Sequence, residues 1–216
     1  MKIRRLIILA AILALLALWF LCRRLAVNPG TVEEKGLYVL ENVVKSEDLG
    51  EMGKVSTMLE PDIFTYLSEK VEIRRINRDL RHYRIDPESY KIECKILHSE
   101  AIDDYIWMDC RAIRTYVYEE DPLYYPDEES EADMTIRDDD QEEDKEELTS
   151  VSSEYYLLYD CKSKKVCEFC GVWDDLDFTI RGEDFVPEPH PFTLKDEYKE
   201  KIRIIKDEIY SQYKRS

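Results

Sequence analysis

An uninterrupted apolar segment near the N-terminus, from Leu6 to Cys22, constrains this chain more than any other feature. Its 17 residues include no charged residue, no glycine and no proline. As a helix the segment would span about 26 Å, and flanking arginines could extend its reach across a hydrocarbon core about 30 Å thick. A helix buried in a soluble domain would normally show a polar face, which is missing here. The sequence therefore predicts a transmembrane helix in contact with the lipid bilayer.

The segment is interpreted as a retained signal anchor rather than a cleaved signal peptide. Cleavage requires small residues after a shorter apolar core, whereas here the bulky residues 19–21 lead into the arginines at 23–24. The N-terminal flank (1–5) carries slightly more positive charge than the other flank, which favours an N-terminus inside the cell. This orientation predicts that residues 25–216 lie outside the cytoplasm.

The remainder of the chain, about 190 residues, is long enough for one domain with a substantial core. A turn signal, Asn28-Pro29-Gly30, separates this domain from the anchor. The predicted organisation is a cytoplasmic N-terminus (1–5), a transmembrane anchor (6–24), a linker (25–36), an α+β domain (37–182), a proline-rich connector (183–193) and an amphipathic helix (194–216).

Acidic residues are concentrated in one stretch of the chain. Residues 119–147 carry a formal charge of −14, out of −17 for the whole chain. We interpret residues 119–148 as a disordered acidic insert inside the domain. The overall acidity argues against nucleic acid as a partner, because phosphate contacts need clustered lysine and arginine.

Helical spacing dominates residues 33–85 and predicts two or three helices. Leu37, Leu40 and Val44 form one apolar stripe, which breaks near residues 46–48 and resumes from Leu49 to Leu59. A further helix is expected to begin at Pro61 and to run as far as Pro87.

From Tyr90 the apolar pattern changes to a period of two, which predicts four strands in an antiparallel meander. A loop over residues 99–105 sets the register of the first two strands, with Ile96 opposite Met108. The acidic insert joins the second and third strands. The fourth strand is expected to reach Trp173.

Helices followed by a curved antiparallel sheet resemble the NTF2-like domains, cone-shaped α+β domains that often occur behind a single membrane anchor in bacteria. The resemblance covers about residues 35–175 and consists of the order of the elements. It implies a concave sheet face that holds a pocket or a protein partner.

Five cysteines follow the anchor, so at least one is unpaired within the chain. The predicted register places Cys94 opposite Cys110, and the turn at 162–165 places Cys161 opposite Cys167. An oxidising compartment would allow both pairs to form disulfides; otherwise these cysteines are small buried hydrophobic residues. A strand directs positions three apart to opposite faces, so the CEFC motif does not predict a metal or redox site.

His98 and Asp109 are the nearest approach to an acid–base pair. His98 ends a strand and could line a pocket on the sheet face, but Asp109 alternates onto the polar face. No catalytic motif is present, and the sequence predicts neither a cofactor nor a metal site.

Besides the concave sheet face, two surfaces are candidates for partner contacts. The first is an arginine-rich stretch, which could bind an anion or an acidic partner, including the chain's own insert, or could be a solvated helix face. Its members are Arg74, Arg75, Arg78, Arg81 and Arg84. The second is the apolar stripe of the C-terminal helix, which either packs on the domain or is available to a partner. This stripe consists of Tyr198, Ile202, Ile205, Ile209 and Tyr213.

These observations favour a non-catalytic binding or assembly module of the cell envelope, held by one transmembrane helix. An envelope protein or a second copy of the chain is the expected partner. The alternative is an NTF2-like domain that binds or hydrolyses a small molecule in a pocket on the sheet face.

Overall fold

The computed structural model describes residues 31–50, 52, 55–81, 83–120 and 148–213. The predicted transmembrane segment and nearly all of the acidic insert lie outside these residues. Within the described ranges, none of the helices combines the length and the apolarity needed to cross a bilayer.

The described residues form an α+β fold in which helices pack on a four-stranded antiparallel sheet. The strand order β2-β3-β5-β6 confirms the predicted meander, and β1 and β4 pair in a second, unpredicted sheet. In chain order the elements are α1 (Val32–Leu49), α2 (Pro61–Arg81), β1 (Tyr83–Ile85), β2 (Lys91–Ile102), β3 (Tyr105–Tyr116), β4 (Tyr118–Glu120), β5 (Thr149–Asp160), β6 (Lys165–Gly171), α3 (Asp175–Arg181) and α4 (Asp196–Tyr213).

Local capping sets both ends of α1. Thr31 accepts a hydrogen bond from the Glu34 amide at 3.1 Å, and the Glu34 carboxylate accepts one from the Thr31 amide at 2.9 Å. Gly50 ends the helix in the left-handed conformation, with φ of 91°. The helix therefore begins inside the predicted linker and continues through the break that was expected at 46–48.

The helical repeat expected over residues 49–59 is wrong. Gly50 ends α1, and the segment before α2 instead runs beside β6, where Val166 donates to Met58 and accepts from Glu60. Pro61 begins α2 as predicted. The helix stops at Arg81 rather than near Pro87, because the following residues pair with β4.

The predicted register between β2 and β3 is wrong by two residues before a bulge at Leu97 and by three residues beyond it. Ile96 pairs with Cys110 rather than with Met108, and beyond the bulge Ser99 pairs with Met108. A turn at residues 103–104 replaces the longer predicted loop. Met108 and Cys110 still face the core, because the alternation along β3 sets the direction of these side chains whatever the register.

The core lies between the sheet and α1 and α2. Gly36 allows α1 to approach β3, since a Cβ atom at this position would lie 2.8 Å from Met108 Cε. Phe169 and Leu157 pair across β5 and β6 and are fully buried. The inner face of the sheet is thus apolar in its middle, and polar side chains occur towards one end.

The C-terminal part of the chain packs against the domain. Ile202 and Ile209 of α4 belong to the core, with 5% and 7% of their surface exposed, and Lys206 contacts Glu69 of α2 at 2.8 Å. Tyr198 and Ile205 are partly buried against the same core. The predicted apolar stripe is therefore largely occupied by the domain itself; the side chain of Tyr213 lies outside the described residues.

The outer edge of β6 is covered along its length. The segment before α2 pairs with Val166, the amide of Phe192 donates to Cys167 O at 2.8 Å, and Arg181 donates to Phe169 O at 3.3 Å. Asp177 accepts from the amide of Gly171 at 3.3 Å. These contacts satisfy edge groups that would otherwise be open to another strand.

Candidate functional site

Lys70, on α2, is the centre of a buried cluster of charged side chains. Its side chain has no exposed surface, and its Nζ lies 2.8 Å from Asp174 Oδ2 and 2.9 Å from Asp177 Oδ2. Glu47, at the end of α1, lies 3.7 Å away. The lysine therefore joins α1, α2 and the start of α3 around one positive charge.

Asp177 extends this cluster towards the edge of the sheet. Its Oδ1 accepts a hydrogen bond from Tyr66 at 2.6 Å and lies 3.5 Å from Arg181 Nε. Arg181 in turn contacts Glu168 at 2.9 Å. Together with Arg74, which contacts Asp174 at 2.7 Å, the cluster contains three cations and four carboxylates.

This excess of one carboxylate is reflected in the acidities of the cluster. Burial raises the pKa of Glu47 above its usual range, and Lys70 and Arg74 offset this only in part. Burial also acts to raise the pKa of Asp174, but here Lys70 and Arg74 prevail and hold it well below its usual range. Burial would lower the pKa of Lys70, but the carboxylates of Asp177 and Asp174 hold this pKa well above its usual value. The lysine is therefore a permanent cation.

A cleft of about 600 Å³ opens beside this cluster. Arg74, Asn77 and Arg78 form one wall, since positions three and four apart on a helix share a face. The opposite wall is the polar end of the inner sheet face, where Arg114 and Tyr155 lie. The cleft thus lies between the helices and the sheet.

The charged groups in the walls are mostly paired. Arg114 contacts Asp48 at 3.2 Å and donates to Ser153 at 2.7 Å, and Tyr90 donates to the same Asp48 at 2.7 Å. Burial, followed by the nearby carboxylate of Glu47, raises the pKa of Tyr155, so its phenol stays neutral at physiological pH.

The structure separates the members of the predicted arginine-rich stretch. Arg74 and Arg78 line the cleft, whereas Arg75 is exposed and pairs with Asp79 at 3.1 Å. Arg84 lies exposed on β1 rather than on the helix. The side chain of Arg81 and the acidic insert lie outside the described residues, so docking of the insert stays a prediction.

His98 and Asp109 do not line this cleft. They are opposite each other in the ladder between β2 and β3 and lie on the face of the sheet away from the helices, because the adjacent Met108 and Cys110 face the core. The cleft is therefore on the other side of the sheet from the pair that sequence reasoning placed in a pocket.

The five cysteines among the described residues are free. The true register pairs Cys94 with Ala112 instead of Cys110, and Cys161 is exposed in the turn after β5 while Cys167 is buried. Neither predicted disulfide is present. Burial raises the pKa of Cys94, of Cys110 and of Cys167 to about 12, so these thiols are poor nucleophiles.

Sequence reasoning missed most of the residues that build the site, notably Lys70, Asp174 and Asp177. Among the described residues, no group of three or more histidine, cysteine or acidic side chains is arranged to hold a metal ion. No family model, no curated protein and no solved structure matches the chain.

Proposed function

We propose that this chain is a membrane-tethered binding module that holds a ligand in the cleft and carries out no chemical reaction. The cleft itself is the main support, because two of the predicted contact surfaces, the arginine-rich helix and the inner sheet face, form its walls. Its volume of about 600 Å³ falls within the range of about 300–1,000 Å³ that is usual for small-molecule pockets.

The state of the acidic groups favours binding over catalysis. A general base needs a free lone pair that points at the substrate. Asp174 and Asp48 instead accept hydrogen bonds from Lys70 and Arg114, respectively. The carboxylate of Glu47 is almost completely buried. Two of these carboxylates are thus occupied by cations and the third is shielded from solvent, which favours recognition over proton transfer.

The proposal retains the membrane tether from Leu6 to Cys22 and the location outside the cytoplasm. Both depend on the sequence. The tether would hold the module beside other envelope proteins and other copies of the chain, which are the expected partners. The resemblance to NTF2-like domains is in keeping with a cleft on the inner sheet face.

Filling the cleft tests the binding function. Native mass spectrometry of the full-length chain, after incubation with a small-molecule extract, is expected to show a retained ligand. Asn77→Trp, which places an indole in the cleft, is expected to abolish retention. Gln212→Trp, on an exposed part of α4, should retain the ligand as the wild type does. Absence of a ligand, or equal retention by Asn77→Trp, would overturn the proposal.

Cys161 offers a test of the location, because its thiol is exposed in the described structure while Cys110, Cys167 and Cys170 are buried. A maleimide that cannot cross membranes is expected to label intact cells, and Cys161→Ser should remove most of the label. Labelling that requires cell lysis would show that the module faces the cytoplasm.

A further inference from the structure

Arg78 is a partly buried cation with no carboxylate partner among the described residues. Within these ranges it forms no ion pair, and its guanidinium donates only to the backbone carbonyl of Glu47. Arg74, one turn earlier, contacts Asp174 at 2.7 Å. Burial and the neighbouring Arg74 lower the pKa of Arg78, and Asp48 and Asp79 do not fully compensate. The positive charge of Arg78 is therefore poorly balanced within the described part of the chain.

Most carboxylates of the cleft already have cationic partners. Asp174 and Asp48 are paired with Lys70 and Arg114, respectively, and Glu154 pairs with Arg111 across the sheet. Glu47 is almost completely buried and lies 3.7 Å from Lys70 and 4.0 Å from Arg74. Asp175 is exposed in the first turn of α3, where a negative charge favours the helix. An anionic ligand group would thus find an unpaired guanidinium at Arg78, whereas a cationic group would find few exposed carboxylates that lack a partner among the described residues.

Two uncharged polar groups are also available to a ligand. Neither the Asn77 amide nor the Tyr155 hydroxyl makes a hydrogen bond to another part of the described chain. Asn77 precedes Arg78 on the cleft wall, and Tyr155 lies on the facing sheet. They can donate to or accept from the polar atoms that surround an anionic group.

Trp173, at the edge of the same cleft, is held in an unfavourable conformation. Its φ of 64° lies in the left-handed region, which is rare and energetically unfavourable for an aromatic residue. Burial does not offset this cost, because 83% of the residue is exposed. The neighbours on each side are fixed, since Val172 donates to Glu154 O at 2.8 Å and Asp174 caps α3.

We infer that the cleft binds a flat ring that carries an anionic group, with the anion at Arg78 and the ring against Trp173. A guanidinium binds carboxylates and phosphates through paired, charge-assisted hydrogen bonds, and an exposed indole offers a stacking surface. An aromatic carboxylate and a mononucleotide share this chemistry. The inference rests on the proposed binding function and adds the class of ligand.

Matched probes separate the contributions of charge and ring. Saturation-transfer NMR with the full-length chain would use phenylacetate against phenylacetamide, and adenosine monophosphate against adenosine. At least one anionic probe is expected to bind at least about tenfold more tightly than its neutral counterpart, because charge-assisted hydrogen bonds are stronger than those between neutral groups. A difference between phenylacetate and phenylacetamide would indicate an aromatic carboxylate as the ligand. A difference between adenosine monophosphate and adenosine would indicate a mononucleotide.

Three variants assign the contacts. Arg78→Gln should weaken the binding of the anionic probe about tenfold and leave the binding of the neutral probe unchanged. Arg75→Gln is the matched control on the exposed side of the same helix and should have no effect. Asparagine tolerates the left-handed conformation better than tryptophan, so Trp173→Asn should be at least as stable as the wild type. This variant should weaken the binding of ring-bearing probes and leave the binding of inorganic phosphate unchanged.

Equal binding of charged and neutral probes, or unchanged binding by Arg78→Gln, would overturn the inference, as would the absence of binding by all four probes. The binding function itself would survive if the mass-spectrometry experiment identified a neutral ligand that Asn77→Trp excludes. It would fail if no retained ligand depended on the cleft.

Discussion

Replacing Lys70 with methionine is expected to lower the free energy of unfolding by about 3–5 kcal/mol at neutral pH, because it leaves buried carboxylates without their cation. The ammonium lies within 3 Å of both Asp174 and Asp177, and the side chain is fully buried. Methionine has a similar volume, so the loss reports mainly the missing charge. Urea unfolding followed by circular dichroism measures the effect.

Lys206→Met is the matched control for this experiment. Lys206 also contacts two carboxylates, Glu69 and Glu72, but 22% of its side chain is exposed. Solvent screens such pairs, so the expected loss is below about 1 kcal/mol. Comparable losses for the two lysines would show that burial of the Lys70 cluster has no special energetic consequence.

The deficit of Lys70→Met is also expected to depend on pH. In the wild type the pKa of Asp174 is held well below its usual range, so this carboxylate stabilises the fold above its unfolded pKa of about 3.9. That contribution is lost as the pH falls through the folded value. The difference between wild type and variant should therefore be largest near neutrality and should shrink below about pH 4.

Phe169→Ala should be similarly severe, with an expected loss of about 3–5 kcal/mol in the free energy of unfolding. Phe169 is fully buried on β6, pairs with Leu157 and packs against Tyr155 with ring centroids 5.5 Å apart. Removing the ring leaves a cavity that the surrounding strands and helices cannot fill without moving. Denaturant unfolding at neutral pH measures the loss.

A surface aliphatic residue provides the comparison for Phe169. Val186 is 70% exposed, so Val186→Ala should change the unfolding free energy by no more than about 0.5 kcal/mol. A loss below about 1 kcal/mol for Phe169→Ala would mean that the contact between β6 and the helices is not the core of the fold.

The strands were predictable because alternation is a local signal. The apolar period of two located all four strands of the main sheet, and it directed Met108 and Cys110 to the correct face even though the register was off by two or three residues. The bulge at Leu97 and the short turn at 103–104 caused that shift. Neither carries the glycine or proline that usually marks a turn in sequence.

The helix ends could have been placed more accurately from signals that are present in the sequence. Thr31 and Glu34 have the spacing of a capping box, and Gly50 has the conformational freedom that a C-terminal cap requires. The prediction followed the apolar spacing from Leu49 to Leu59 and therefore extended a helical pattern across Gly50.

Of the site, the arginines on the wall of the cleft were predicted, but the charged cluster around Lys70 was not predictable, because its contacts join distant parts of the chain. Lys70 meets Asp174 and Asp177 across 104 and 107 positions, respectively, and no local pattern links them. The local signal for this cluster was the run Asp174-Asp175-Leu176, because an aspartate at the N-cap followed by an acidic residue in the first turn is typical of a helix start. It indicated the start of α3 but could not identify the lysine that its carboxylate would bind.

The covered edge of β6 limits how copies of this domain could join. Continuous growth of a shared sheet into a fibre requires an open edge on both sides, so that each added copy leaves another place for the next. In the described part of the chain only β2 ends the main sheet without a neighbouring segment along its outer side. Pairing of the main sheet between copies through β2 would therefore stop at a two-fold symmetric pair.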